Sequence, residues 1–381
     1  MSNLNPKPGI YFPNLNGLRF VAATAVIIQH IELNKQRYGL PNIAATSAVI
    51  GIIGKLGVVL FFVLSGFLIT YLLLEEEHHT GQIRFGRFYI RRALRIWPLY
   101  YAVVISALFI LPHISLFAVP DYGMVAAHKD LLLKIILFAT FFANVVLANV
   151  GLVPFAALTW SIGTEEQFYL IWPVLMKYIR SKTGLMLGVI ALYLAGRVLL
   201  ESSSLGAGSW QRWIRGFYYY FNIDCMAIGG LAAVILHKKF KILIWVINLP
   251  IFYAALITTL VLLTRGITVP YLHYETYAML FAVLILNFSA NKSIGWSMEF
   301  EPCHYLGKIS YGLYLLHPVA VVASIHLLGT VGWTRDVYLY PTCLLGTIGL
   351  AALSYRFFES PFLLLKHRFA VVVSGEDART S

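Results

Sequence analysis

Charge is what this sequence has least of. Of its 381 residues only 12% are Asp, Glu, Lys or Arg, about half the share of an ordinary soluble domain, so a water-covered surface of normal extent is excluded. Acidic residues are the scarcer sign, 17 against 29 Lys and Arg. Cysteine is scarce as well. Cys225, Cys303 and Cys343 are too few and too scattered for a disulfide framework or a zinc site, and they read as small buried apolar residues. No internal repeat or low-complexity stretch stands out, and the paired halves expected of many secondary transporters are not visible.

What the chain has instead is hydrophobic length. It is 59% apolar with a mean hydropathy of +0.75, and runs long enough to cross a bilayer recur throughout. They fall near 14–33, 52–74, 96–118, 131–150, 166–180, 184–200, 217–236, 243–263, 272–290, 305–328 and 336–356. The class is therefore all-α: a polytopic transmembrane helical bundle. These runs nearly use up the chain, which predicts one integral-membrane domain over 1–366 and a cytoplasmic tail over 367–381, disordered from Ser374. The first run is not a cleavable signal peptide, because Arg19 interrupts it and no small-residue cleavage pattern follows.

The net charge of +12 calls for anionic lipid head groups, not nucleic acid, as partner. By the positive-inside rule Arg84–Arg95, Arg180–Lys182, His237–Lys241 and the stretch from Arg356 to Arg368 are cytoplasmic, as is the amino terminus. Two cytoplasmic termini require an even number of crossings of the inner membrane. Eleven candidate runs then predict ten spans and one broken or re-entrant segment within 96–165, where Pro112, Pro120 and Pro154 interrupt the pattern. Such a segment is tolerated only where it is buried in protein or lines a cavity.

Three clusters of ionisable residues stand out against this background. Arg19 and His30 are eleven residues apart in the first run, almost a whole number of helical turns, so they share a face about 16 Å apart along the axis. A guanidinium at the centre of the bilayer costs about 2.5–3.5 kcal/mol even on lenient scales. The bland reading is an arginine snorkelling to one interface and a histidine capping the other end. The functional reading turns both inward. The second cluster places five arginines between Arg84 and Arg95, interleaved with Phe85, Phe88 and Tyr89. A topogenic block with an aromatic belt would account for much of it. Arg92 and Arg95 project to one side of a helix, however, and their planar forks suit the phosphates of a ligand such as coenzyme A.

The third cluster is Glu165 and Glu166, within Thr159-Trp160-Ser161-Ile162-Gly163-Thr164-Glu165-Glu166-Gln167. Thr164 and Gln167 fit a capping box, which would put both carboxylates in a helical first turn. With Arg180 inside, that turn lies on the outer side, where His30 also emerges. A carboxylate beside the imidazole would orient it as a general base. Among the remaining residues, Ser65-Gly66 reads as a close-packing pair rather than a nucleophile. His317, before Pro318, reads either as a hydrogen-bonded interior histidine or as a substrate contact. Glu359 with Arg356 reads as an interfacial ion pair, and His78-His79 beside Glu75-Glu76-Glu77 as a solvated loop rather than a metal site.

Several stretches resemble the membrane acyltransferase-3 family. They are Arg19 with His30, Phe61-Phe62-Val63-Leu64-Ser65-Gly66-Phe67-Leu68-Ile69, Phe88-Tyr89-Ile90-Arg91-Arg92-Ala93-Leu94-Arg95-Ile96-Trp97-Pro98 and Trp160-Ser161 followed by Glu165-Glu166-Gln167-Phe168-Tyr169. To these are added Ser310-Tyr311-Gly312-Leu313-Tyr314-Leu315-Leu316-His317-Pro318 and Tyr355-Arg356-Phe357-Phe358-Glu359-Ser360-Pro361. The order is kept along nearly the whole chain, in the stand-alone form without an appended hydrolase-like domain. The resemblance implies transfer of an acyl group, most often acetyl from cytosolic acetyl-CoA as co-substrate, to a hydroxyl of an extracytoplasmic glycan or lipid-linked saccharide. It implies His30 as catalytic base and Arg19, Arg92 and Arg95 as donor-binding residues. Glu165 and Glu166 join the candidate catalytic set, and Tyr169, Tyr311 and His317 are candidate substrate contacts. No tightly bound cofactor and no metal are expected. The alternative is a transporter or flippase of a glycan or anionic metabolite, which would need the arginines but not His30.

Overall fold

In hydrocarbon every backbone N–H and C=O must be satisfied within the protein, which turns apolar runs into helices. The computed structural model describes residues 9–123, 126, 128–202, 209–369 and 373–374, and it is overwhelmingly helical. The chain forms α1 (Leu15–Arg37), α2 (Ala48–Thr80), α3 (Phe85–Ile105), α4 (Leu131–Ala139), α5 (Thr159–Tyr178), α6 (Lys182–Ser202) and α7 (Ser209–Tyr220). It continues with α8 (Ile223–His237), α9 (Leu249–Thr264), α10 (His273–Ala290), α11 (Glu301–Lys308), α12 (Ser310–Thr330), α13 (Asp336–Leu353) and α14 (Ser360–His367). Among the described residues, six stretches are long and apolar enough to cross a membrane: Ala48–Thr80, Phe85–His113, Lys182–Glu201, Trp210–His237, Ser310–Thr330 and Asp336–Lys366.

Contacts between helix ends give each one a direction. At one end, here called distal, Gln29 Nε2 donates to the Ile50 carbonyl (2.7 Å) and Lys35 Nζ meets Asp336 (2.7 Å), joining the end of α1 to the starts of α2 and α13. At the other, basal end, Asn14 Nδ2 donates to the Phe288 carbonyl (3.3 Å), and Arg91 reaches both Glu76 (3.2 Å) and the Phe369 carbonyl (3.0 Å). Helices α1, α2, α3, α5, α6, α7 with α8, α9, α10, α12 and α13 pack together as the bundle, and six of these elements carry the long apolar stretches. Those missing from the apolar set, α1, α5, α9 and α10, are either short or carry ionisable side chains such as Arg19, Glu165 and Glu275.

The segment expected to fail as a span does so. After α3 the chain loosens into a π-turn (Ser106–Ile110) and two 3-10 turns, and the nine residues of α4 are fewer than half of what a span needs. Phe141 breaks the run with φ +61°. Tyr100 and Tyr101 donate to the carbonyls of Phe138 and Ala139 (2.9 Å each), satisfying the frayed end of α4 part-way down α3. The chain then turns back through Ala143–Val150 toward the distal end, where α5 starts. This is a re-entrant hairpin that packs on one side against α3 and α5 and leaves Leu132, Leu133, Ile135 and Ile136 of α4 exposed on the other.

Two helices approach more closely than side chains would permit. A Cβ on Gly66 of α2 would lie 1.9 Å from the Met226 carbonyl oxygen of α8, and one on Gly229 would lie 2.0 Å from that of Val63. The Ser65-Gly66 step is thus a packing point at Gly66, as small residues at membrane helix contacts allow.

Three local expectations are corrected. His78 and His79 belong to the last turns of α2, not to a loop, and His79 lies 3.2 Å from Glu75 one turn back. Glu359 accepts from Ser354 Oγ (2.8 Å) within a π-turn, while the Arg356 guanidinium stacks on Phe357 instead of pairing with it. Ser374, the first residue of the stretch read as disordered, pairs in parallel with Ile10, as Val373 does with Gly9, at the basal end; residues 375–381 of that tail lie outside the described residues.

Candidate active site

Arg19, Arg92 and Arg95 meet. Arg19 projects from the first turns of α1, and Arg92 and Arg95 from successive turns of one face of α3. Together with Ser65, Glu165, Tyr169 and Tyr311 they line a cavity of about 100 Å³. A second space of about 90 Å³ shares Arg19, Arg92 and Arg95 and continues past Tyr11 and Phe12 toward the basal end. Arg19 is steadied by Asn16 Oδ1 (3.0 Å), and the Arg92 guanidinium lies between the rings of Phe88 and Tyr169 (5.8 and 5.7 Å). Neither residue snorkels to lipid. Arg91, by contrast, is spent on Glu76 and Phe369 and is structural.

His30, further along α1, opens into a different cavity of about 230 Å³, bounded by Asn34, Arg37, Phe155, Trp160 and Pro318. Its partner is His317, fully buried on α12: His30 Nδ1 and His317 Nε2 are 2.7 Å apart, and His317 Nδ1 is 3.2 Å from the Leu313 carbonyl. The chain of partners assigns the protons. A carbonyl only accepts, so His317 Nδ1 donates to it and His317 Nε2 is left as acceptor. His30 Nδ1 must then donate, and the free lone pair of His30 falls on Nε2. That is the state a general base requires.

The carboxylates are not where the capping-box reading put them. The helix begins at Thr159, not Thr164, so Glu165 and Glu166 lie about 9 Å below its start. Thr164 Oγ1 instead donates to Trp160 and Tyr220 carbonyls, and Gln167 Nε2 to that of Phe141 in the re-entrant hairpin (2.9 Å). Glu165 faces the arginines and accepts from Ser65 Oγ (2.8 Å) and Tyr169 OH (3.0 Å). Glu166 accepts from Trp97 Nε1 (2.9 Å). The imidazole is therefore oriented by a second histidine rather than by a carboxylate.

Between the arginine cavity and the histidine cavity stands a wall that sequence reasoning missed. Tyr314 OH lies 2.8 Å from Ser161 Oγ and donates to the Leu158 carbonyl (3.1 Å). Ser161 and Tyr314 line the first cavity, while Leu158 and Trp160 line the second. The spacing carried the signal: Tyr311, Tyr314 and His317 recur every three residues on α12, which places three polar tips along one face. Tyr311 donates to the Ile96 carbonyl (2.7 Å), and Ser65, read only as a packing residue, turns its hydroxyl into the arginine cavity.

A multi-pass helical bundle with a basic cavity at one end and a histidine pair toward the other defines the class. The acyltransferase domain family matches residues 12–356, and the chain belongs to that family, acyltransferase-3. Among curated relatives, a Staphylococcus aureus (strain COL) protein provisionally named an O-acetyltransferase is 30% identical over 92% of this chain and 57% of its own length. The peptidoglycan O-acetyltransferase OatA of Listeria monocytogenes serovar 1/2a is 26% identical over 92% of this chain and 56% of its own. The chain thus spans little more than half the length of these relatives. No solved structure matches. The chain is thus a multi-pass membrane member of that family.

Proposed function

We propose that this protein moves an acetyl group from cytosolic acetyl-CoA to a hydroxyl of an extracytoplasmic glycan or lipid-linked saccharide, with His30 as the base. The observation that carries the reading is the division of labour along α1: Arg19, with Arg92 and Arg95, at a cavity continuing basally, and His30 about 16 Å further on, its free lone pair set by His317. The basal end holds the Arg84–Arg95 block and is assigned to the cytosol. Coenzyme A phosphates pair with the guanidinium forks, and the flexible arm of the donor passes the Ser161–Tyr314 wall to bring its thioester beside His30.

There the acceptor hydroxyl attacks the thioester carbonyl carbon while His30 Nε2 takes its proton. Collapse of the tetrahedral intermediate breaks the C–S bond, and the imidazolium returns the proton to the departing thiolate. Holding thioester and hydroxyl together supplies much of the acceleration, and the base adds about 10²–10⁴. Purified protein in detergent, given radiolabelled acetyl-CoA and a peptidoglycan fragment, is expected to label the saccharide. His30→Ala is expected to lose at least about 10²-fold in kcat while still binding coenzyme A. Normal turnover by His30→Ala would remove the imidazole from the mechanism. Donor binding without any transfer by the unaltered protein would favour the transporter or flippase.

A further inference from the structure

One further cavity belongs to neither chamber. It is a cleft of about 560 Å³ at the distal end, walled by Tyr193, Arg197, Tyr218, Tyr219, Tyr271 and Tyr274, a volume typical of small-molecule sites. Its floor is built rigidly. Tyr193 and Tyr218 stack at 4.8 Å between centroids, and each hydroxyl donates to the other's backbone carbonyl (3.1 and 2.8 Å). Buried Asn222 donates to Tyr193 OH (3.2 Å). On the rim, Tyr271 holds a left-handed backbone at φ +61°, rare for a residue with a side chain, and Arg197 clamps its carbonyl (2.7 Å) while pairing with Glu275 (2.5 Å).

The cleft adjoins the histidine chamber. Asn222 on the cleft side accepts from Lys55 Nζ (2.8 Å), and that ammonium lies over the ring of Trp160 (4.2 Å), which walls the chamber of His30. Tyr219 and Tyr274 of the cleft flank the same ammonium (5.4 and 5.3 Å). Aromatic faces backed by fixed hydrogen-bonding groups fit a ligand with apolar C–H faces and a hydroxylated rim. From this we infer that the cleft is the acceptor site and takes an oligosaccharide, stacked on Tyr219 and Tyr271, with one sugar reaching past Lys55 and Trp160 toward His30. The inference rests on the acyl-transfer reading for its chemistry, but the binding it asserts does not need turnover.

The test is calorimetric titration of the purified, full chain with chitotetraose and, in parallel, with a polyprenyl-linked disaccharide of N-acetylated sugars. Tyr219→Ala and Tyr271→Ala are each expected to weaken binding by about three- to tenfold, and Tyr271→Trp, which preserves a stacking face, to restore it. Sensitivity with the free sugar supports the cleft as a glycan site, and sensitivity with the lipid-linked probe alone supports it with a lipid-linked source. Unchanged affinity for both probes in both alanine variants, or equal loss in Tyr271→Ala and Tyr271→Trp, overturns the inference. If the sugar binds with this sensitivity but no acetyl is transferred, the acyl-transfer reading fails and the cleft stands.

Discussion

His30 has a defined tautomer only because His317 is held by a carbonyl. Replacing His317 by Ala removes the acceptor for His30 Nδ1 and frees the imidazole to rotate and to place its proton on either nitrogen. We expect kcat to fall about 10–100-fold with donor KM little changed, a milder loss than for His30→Ala. His317→Gln, whose side-chain carbonyl can take the His30 proton, should recover part of it. A merely structural role would show loss of folded protein and no rescue by Gln. The arginines separate the other way. Arg92→Ala with Arg95→Ala should raise the dissociation constant for coenzyme A by at least about tenfold, since each removes a charge-assisted contact. Calorimetry with coenzyme A checks this, and an unchanged constant would leave the pair as a topology signal. Arg19, Arg92, Arg95 and His30 were legible from the sequence because a charge in an apolar run is conspicuous. The histidine partnership was not, since 287 residues separate the two rings and only folding joins α1 to α12.

Helices were legible wherever the apolar run was unbroken, as in α2 and α12. Their ends were less so. The start of α5 was misplaced because a Thr and a Gln three residues apart satisfy a capping pattern anywhere, and buried Trp160 and Ser161 extend the helix upstream of it. That one displaced start moved Glu165 from the imidazole to the arginine cavity and Glu166 to Trp97. The α2–α8 contact shows how tightly the frame around them is drawn. Gly66→Val would push side-chain atoms into the Met226 carbonyl, for which no rotamer offers escape, and should cost more than about 3 kcal/mol. Ser65→Ala, one residue away, leaves that contact intact. Thermal denaturation in detergent should find Ser65→Ala folded and Gly66→Val unfolded or strongly destabilised; equal melting would mean the two helices do not approach as described.

For the molecule as a whole, the pairing of Gly9–Ile10 with Val373–Ser374 and the arginine block share the basal end, while the histidine pair and the aromatic cleft lie toward the distal end. The wall of Ser161 and Tyr314 stands between the two cavities on this path. On the proposed path donor and acceptor never share a compartment. This is tested most directly in sealed proteoliposomes holding the protein in one orientation, established by impermeant thiol labelling of a cysteine at exposed Gly86. Acetyl-CoA is confined to the face that bears Gly86 and the saccharide to the opposite face. O-acetylated saccharide is expected in the compartment that never received donor, and none with His30→Ala. Product forming only when donor and acceptor are supplied on the same side would contradict it.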